Sequence, residues 1–423
     1  MVALAVVLFV VGALGLVTRQ RPSPDAGARA APAARAGGSI AALQARVKLV
    51  ADDYAAWAAL GLAYVGQARV SGDPSYYPKA EGVLARSLAV NTADNDLAAA
   101  GMAALAGGRH DFTAAADWAQ RGLAINPANP LLYGALNDAY TQLGRYPEAF
   151  DAAQRMVDLR PDTSSLARAS YTWELRGDVA QATELMQRAL TDAAGPSDRA
   201  FARYQLGELA FNAGDPAAAL VQYRAGLDAD ASYVPLLEGR AKAEAALGQS
   251  DAAVADYGQV VARVPQPSYL IEFGELLDSL GRGPEAQDQY RTLAAESTLF
   301  TANGVTLDVE PTLFAADHGD PAGALRAGGV GIATRQFLEM DDAYAWALHV
   351  NGRDVEALEW SAKALALGTR SALFHYHAGM IHLGLGEMGH ARDELATALS
   401  INPHFSTLAA PLARAALDRL GSP

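Results

Sequence analysis

The feature that most constrains this sequence is an alanine that recurs at nearly constant intervals. Its ten occurrences are separated by 33 to 38 residues and span most of the chain. A small side chain at a fixed period lets helices approach closely at the same point of successive units, and a period near 34 residues is typical of arrays of helical hairpins. The recurring alanines are Ala80, Ala115, Ala149, Ala182, Ala219, Ala253, Ala286, Ala324, Ala357 and Ala391.

One unit illustrates how such a hairpin is encoded. Tyr133, Leu136 and Tyr140 are spaced three and four residues apart, which places them on one face of a helix. Gly144 is expected to end that helix, because glycine adopts the left-handed conformation at little cost. Pro147 suits the first turn of a second helix, where a missing N–H is tolerated. The sequence therefore predicts two helices per unit, with the recurring alanine in the second.

The sequence resembles the tetratricopeptide repeat family over roughly residues 50–403. The first unit matches the pattern of that family at four positions, which are Trp57, Leu60, Gly61 and Tyr64. The resemblance implies an all-α fold, a right-handed α-α superhelix (solenoid) of about ten helix–turn–helix repeats within residues 40–403. The last segment, residues 404–423, is expected to form a helix that caps the final repeat.

Residues 297–335 depart from the repeat pattern and are expected to form an irregular insertion in the array. A short extended stretch is predicted at Val305–Val309. The glycines of Gly328–Gly331 predict a break in the second helix of the eighth unit. No strand is predicted before these glycines, so they are not interpreted as a phosphate-binding loop.

The first 39 residues differ from the rest of the chain. Residues 1–17 are apolar throughout apart from glycines, which predicts a signal peptide or a membrane anchor. Residues 18–39, rich in Pro, Ala and Gly, predict a flexible tether. Arg19 and Arg21 follow the apolar segment, and the positive-inside rule alone would leave a cytoplasmic-facing anchor open. We expect an anchored or exported bacterial protein whose body lies outside the cytoplasm.

The charge of the chain is unevenly distributed. The net charge is −14, of which residues 1–50 contribute +5, so the remaining residues carry −19. An acidic body does not favour nucleic acid, because sequence-independent binding needs cations that neutralise phosphates. It favours a basic partner, or it serves solubility alone. The chain contains no cysteine, which excludes disulfides and thiolate metal sites.

No motif for catalysis or for a cofactor is found, so we expect a protein that is not an enzyme, with no cofactor and no metal. The late histidines provide an alternative, an accessory metal- or small-ligand-binding protein. His375 and His382 lie two turns apart on one helix face, and His349 could supply a third ligand. No carboxylate is expected to orient these imidazoles, which argues against a metal site.

The resemblance implies that the first helices of the repeats line a concave groove. Carried over residue by residue, the groove positions are mainly acidic and aromatic, with Lys242 as a rare cation. Such a groove would suit a basic or aromatic-containing protein or peptide, held by a non-catalytic scaffold in an envelope-associated assembly. The alternative is that these side chains are ordinary solvated or half-packed helix residues. The predicted partner-binding residues are Asp138, Tyr171, Glu174, Tyr204, Glu208, Phe211, Glu238, Glu275, Asp342 and Trp346, flanked by Thr141, Asp278 and His349.

Overall fold

A computed structural model describes residues 39–421, and the regular structure of this part of the chain is entirely helical. The predicted signal peptide or anchor (1–17) and nearly all of the predicted tether (18–39) lie outside the described residues. Within residues 39–421, no helix combines the length and the apolar character needed to cross a bilayer. The helices are, in chain order, α1 (Ile40–Leu49), α2 (Tyr54–Ser71), α3 (Tyr76–Val90), α4 (Asp96–Gly108), α5 (Phe112–Ile125), α6 (Pro130–Gln142), α7 (Tyr146–Leu159), α8 (Thr163–Glu174), α9 (Val179–Thr191), α10 (Pro196–Asn212), α11 (Pro216–Ala229), α12 (Val234–Ala246), α13 (Ser250–Arg263), α14 (Pro267–Ser279), α15 (Gly283–Ala302), α16 (Val309–Asp317), α17 (Pro321–Thr334), α18 (Leu338–His349), α19 (Asp354–Ala364), α20 (Ala372–Gly384), α21 (Met388–Ile401) and α22 (Ala409–Leu420).

Consecutive helices pair into ten hairpins, from α2–α3 to α20–α21, and each hairpin packs on the next. We number them repeats 1 to 10. Helix α1 packs on the first repeat, and α22 packs on α21 at the other end. The fold class predicted from the sequence, an all-α solenoid of about ten repeats, is thereby confirmed.

The recurring alanines lie where the two helices of each hairpin meet. All ten are in second helices, and all ten have no solvent-exposed surface. Because a larger side chain would force the two helices apart, the close packing of every repeat depends on this position. The periodic alanine is therefore a packing feature, as its spacing predicted.

The segment 297–335 is more regular than expected. Helix α15 has 20 residues, and the non-helical loop 303–308 follows it. The predicted break at Gly328–Gly331 is wrong, since α17 runs unbroken from Pro321 to Thr334. Its glycines are sites of close packing, where a β-carbon on Gly328 or Gly331 would collide with side chains of α18. Residues 309–334 form the ordinary hairpin of repeat 8.

The superhelix is wound so tightly that its successive turns touch. In each of repeats 1 to 5, the turn between the two helices packs against a loop in the next turn of the superhelix. That loop follows the hairpin five repeats further along the chain, so repeat 1 contacts the loop after repeat 6 and repeat 5 the loop after repeat 10. The side-chain amide of Asn402 donates to the carbonyl of Phe211 at 2.9 Å, and the Leu338 N–H donates to the Tyr146 hydroxyl at 2.9 Å. These and similar bonds join residues 191 to 196 positions apart. One superhelical turn therefore takes between five and six repeats.

A buried ion pair reinforces the contact between turns. Arg335 donates to both carboxylate oxygens of Asp308 at 2.8 Å, and it also donates to the side-chain carbonyl of Gln142 in the neighbouring turn. Its guanidinium lies 4.7 Å from the ring centre of Phe112 and 4.3 Å from that of Phe337. Because a buried guanidinium is stable only when its donors are satisfied, these partners fix repeats 2, 3 and 8 in one arrangement.

Candidate functional site

The winding of the superhelix encloses a cavity of about 150 Å³ in its interior. One wall comes from α8, α10, α12 and α14 of repeats 4 to 7. The other wall comes from the next superhelical turn, through residues 369–374 and the loop after α21. Ala213 and Arg370 line the cavity and are exposed to solvent, so the cavity opens on their side. The two walls of the cavity face each other only because the two turns touch.

Five of the predicted partner-binding residues line this cavity. They come from α8 and α10, the first helices of repeats 4 and 5, and four of them occupy two equivalent positions, six and three residues before the left-handed glycine that follows each helix. The five are Tyr171, Glu174, Tyr204, Glu208 and Phe211. The geometry brings them together, although what they bind remains a prediction.

A buried lysine forms the centre of the charge network. The ammonium of Lys242 lies 2.8 Å from both carboxylate oxygens of Glu208 and 3.3 Å from Glu238. The hydroxyl of Tyr223 donates to the same Glu208 at 2.5 Å. Burial alone would lower the pKa of Lys242, but Glu208 and Glu238 outweigh burial and raise it. Lys242 is therefore a fixed positive charge that is already compensated by its neighbours.

The remaining carboxyl groups of the cavity are poorly compensated. Burial raises the pKa of Glu174 to about 7; a hydrogen bond from Asn212 opposes this rise, and the nearby charges of Glu208 and Glu339 add to it. Burial also raises the pKa of Glu272 and of Glu339 above the usual range of a glutamate. Near neutral pH the cavity thus holds carboxyl groups that would ionise fully if a cation entered.

The other five predicted residues do not line the cavity, and each lies beside a charged or polar side chain of its own or a neighbouring repeat. Asp138 forms a buried two-bond ion pair with Arg168, at 2.9 and 2.6 Å. Glu238 pairs with Lys242. Glu275 lies 3.6 Å from the imidazole of His318.

Asp342 and Trp346 are likewise internal. The Asp342 carboxylate lies 2.8 Å from His377. Trp346 donates its indole N–H to Asp317 at 2.7 Å, and its ring stacks between His377 and His349. The expectation that these five side chains face an open groove is wrong, because each is buried against its own or a neighbouring repeat. Whether they contribute to partner binding stays a prediction.

Several residues of the cavity were missed by the sequence analysis. Glu272 lies on α14 of repeat 7, three residues before the predicted groove residue Glu275, so the repeat register could have indicated it. Glu339, Thr369, Arg370 and Asn402 come from the next turn of the superhelix. No local pattern could have indicated them, because their proximity depends on how many repeats complete one turn.

The late histidines differ from their prediction. His375, His382 and His349 do not form a single cluster, and each has its own carboxylate. The partners are Glu394 at 2.6 Å, Glu387 at 2.6 Å and Asp354 at 2.5 Å, respectively. The expectation that no carboxylate orients these imidazoles is wrong. Within residues 39–421, His382, Glu387 and His390 do place three potential ligand atoms within 4.8 Å of one another.

The last hairpin also gives the link to a known family. Residues 372–405 match the tetratricopeptide repeat family. The match covers α20, α21 and the loop that follows. The other nine hairpins of the described chain share the buried alanine of this tetratricopeptide repeat, and most share the left-handed glycine at its turn. The described chain is therefore a solenoid of helical hairpins, and its last hairpin is similar to a tetratricopeptide repeat.

Comparison with solved structures finds proteins of low sequence identity to this chain. The APC/C hetero-tetramer Cut9-Hcn1 is 15% identical, with 90% of this chain and 81% of that chain covered, at a TM-score of 0.42. The human IFIT1 dimer with PPP-AAAA is 13% identical, with 86% and 87% covered, at 0.48. A thermophilic TPR protein from Thermus thermophilus is 21% identical, with 44% and 97% covered, at 0.38. Comparison with curated protein sequences finds no match.

Proposed function

We propose that the chain is a non-catalytic scaffold that binds a protein or peptide partner by receiving one of the partner's basic side chains in the acidic cavity. A cavity of about 150 Å³ is large enough for a benzene-sized group but not for a length of polypeptide. The backbone of the partner would lie outside, against the rim formed by Ala213 and Arg370.

The observation that carries this proposal is the excess of carboxyl groups over cations in the interior. Glu174, Glu208, Glu272 and Glu339 all line the cavity, whereas Lys242 is the cation held within it and Arg370 lies at the exposed rim. Lys242 is bound to Glu208, and within residues 39–421 neither Glu174, Glu272 nor Glu339 forms an ion pair, although the charge of Lys242 also acts on Glu272. A guanidinium or an ammonium group would supply a positive charge together with several hydrogen-bond donors.

The lining of the cavity supports a binding role over a catalytic one. Its polar side chains are carboxyl, amide, phenol, hydroxyl, amine and guanidinium groups, and no histidine is among the lining residues. A hydroxyl nucleophile is usually activated by an adjacent base such as histidine. Glu208, the carboxylate closest to Lys242, instead accepts hydrogen bonds that hold it in place.

The proposal is tested by crosslinking and a matched pair of charge variants. A photo-crosslinking residue at position 213 would capture a partner whose side chain enters the cavity, and the captured segment would contain arginine or lysine. Glu174→Gln removes one cavity charge, and we expect its affinity for that segment to fall about ten- to hundredfold. Glu184→Gln removes one exposed charge from α9 of the same repeat and should leave binding unchanged. Equal affinity in the wild type and in Glu174→Gln would refute the proposal.

We further propose that this scaffold works in a bacterial envelope-associated assembly, with its body outside the cytoplasm. The support for this location is the apolar segment 1–17 and the tether that follows it. Protease added to intact cells should then degrade the repeat array only when the outer barrier of the cell is opened to the protease. Protection that persists until the inner membrane is lysed would place the array in the cytoplasm instead.

A further inference from the structure

The last hairpin differs from the other hairpins in the residues around its turn. In three repeats the residue after the left-handed glycine is an arginine, and it pairs with a glutamate three residues later. In α20–α21 the corresponding residues are Glu387 and His390, so the acidic group comes first. These three arginine–glutamate pairs are Arg145 with Glu148, Arg282 with Glu285, and Arg353 with Glu356.

The first helix of this hairpin supplies another imidazole. His382 lies four residues before Gly386, a position that is occupied in those three repeats by the buried residues Tyr140, Leu277 and Leu348. Its Nδ1 is 2.6 Å from Oε2 of Glu387, and Nδ1 of His390 is 3.4 Å from the same oxygen. The potential ligand atoms of the three residues all lie within 4.8 Å of one another.

We propose that His382, Glu387 and His390 bind a Zn²⁺ ion that links α20 to α21. Two imidazoles and one carboxylate are a ligand set that Zn²⁺ commonly uses when its fourth position is open. Bonds of about 2.1 Å place tetrahedral ligands about 3.4 Å apart, which is the present separation of His390 from Glu387. His382 and Glu387 need to separate by less than about 1 Å, and the exposed Glu387 side chain can turn to allow it.

The site is accessible and lies far from the acidic cavity. The side chains of His390 and Glu387 are 71% and 44% exposed, so an ion can enter from solvent. The cavity contacts α20 at its N-terminal end, whereas His382 is in the last turn of the helix. The fourth position faces solvent, where water or a carboxylate or imidazole of a second protein would complete the tetrahedron.

The test is a titration of the untagged full chain with ZnCl₂, followed by calorimetry and by the midpoint of thermal unfolding. We expect one ion per chain and an increase of the midpoint that a chelator reverses. His390→Ala should lower the affinity more than about tenfold. Because His390 is largely exposed, this variant should unfold at the wild-type temperature when no metal is present.

His375→Ala is the matched control. His375 is on the same helix and also pairs with a glutamate, but it belongs to no three-ligand set within residues 39–421, so this variant should bind Zn²⁺ as the wild type does. Co²⁺ provides a second readout, since its visible absorption in a tetrahedral site should appear in the wild type and in His375→Ala and disappear in His390→Ala. Wild-type protein that binds no Zn²⁺, or equal binding by His390→Ala and the wild type, would overturn the assignment.

Discussion

Trp346 lies inside the array rather than on a surface open to a partner. Its ring centre is 4.2 Å from that of His377 and 4.8 Å from that of His349, and only 7% of the residue is exposed. Trp346→Ala should therefore lower the free energy of unfolding by about 3–5 kcal/mol, measured by urea denaturation. Trp360, which is only partly buried, should tolerate the same change better. If Trp346→Ala lost partner binding but kept the stability of the wild type, Trp346 would belong to the binding surface and not to the core.

The pKa of Glu174 makes the stability of the chain depend on pH. The folded-state pKa is about 7, above the ordinary value of 4.5, so between these values the folded chain holds a proton that the unfolded chain has released. This group therefore contributes stability that is fully present below pH 4.5 and lost as the pH rises through 7.

Glu174→Gln removes this dependence because the amide does not titrate. Between about pH 5 and about pH 8 the wild type should lose about 1–2 kcal/mol relative to Glu174→Gln, less than the full pKa shift implies because the side chain is only partly buried. The measurement is urea unfolding of both proteins at each pH. Glu184→Gln should follow the wild-type curve, and parallel curves for Glu174→Gln and the wild type would contradict the prediction.

At the scale of single elements, the hairpins are largely encoded in local sequence. The spacing of apolar residues, the glycine at the turn and the small residue of the second helix all act within about 34 residues, so the sequence alone predicts the repeat. The prediction of a helix break in α17 was wrong. Its glycines look like helix breakers in the sequence, but they allow side chains of α18 to pack closely against α17. A side chain at position 331 would displace the end of Met340, which packs against this glycine, and no local rule contains that information.

The alanine of each second helix should tolerate no larger side chain. Ala219 is fully buried between α10 and α11, so Ala219→Leu should cost about 1–3 kcal/mol of stability through overpacking. Ala217 is exposed on the same helix, and Ala217→Leu should change stability by less than about 0.5 kcal/mol. Thermal and urea unfolding of the two variants measure the difference. Equal effects would mean that the periodic alanine does not set the distance between the helices.

At the scale of the whole molecule, the contacts between superhelical turns could not be predicted. They join residues more than 190 positions apart, and they depend on the sum of small rotations between repeats. A slightly wider superhelix would keep every hairpin and lose these contacts. The prediction of the candidate site was limited for the same reason. Glu339 and Arg370 reach the cavity only because one turn of the superhelix takes between five and six repeats.

Two glycines provide a direct test of the contact between turns. Gly144 and Gly248 both have left-handed backbones, with φ of 67° and 76°. A β-carbon on Gly144 would collide with the carbonyl oxygen of Gln336 in the next turn, whereas a β-carbon on Gly248 would meet no atom within 4 Å. Each change to alanine should cost about 1 kcal/mol for the strained backbone. Gly144→Ala should cost about 1–3 kcal/mol more, because the turns must move apart.

Hydrogen exchange separates the movement of the turns from general destabilisation. The Leu338 amide bonds to the Tyr146 hydroxyl across the same contact, so it should exchange faster in Gly144→Ala and at the wild-type rate in Gly248→Ala. If the two variants lose equal stability and this amide exchanges rapidly in the wild type as well as in both variants, the turns of the superhelix do not touch in solution. The interior cavity would then be an open groove, and the residues assigned to its far wall would no longer belong to the site.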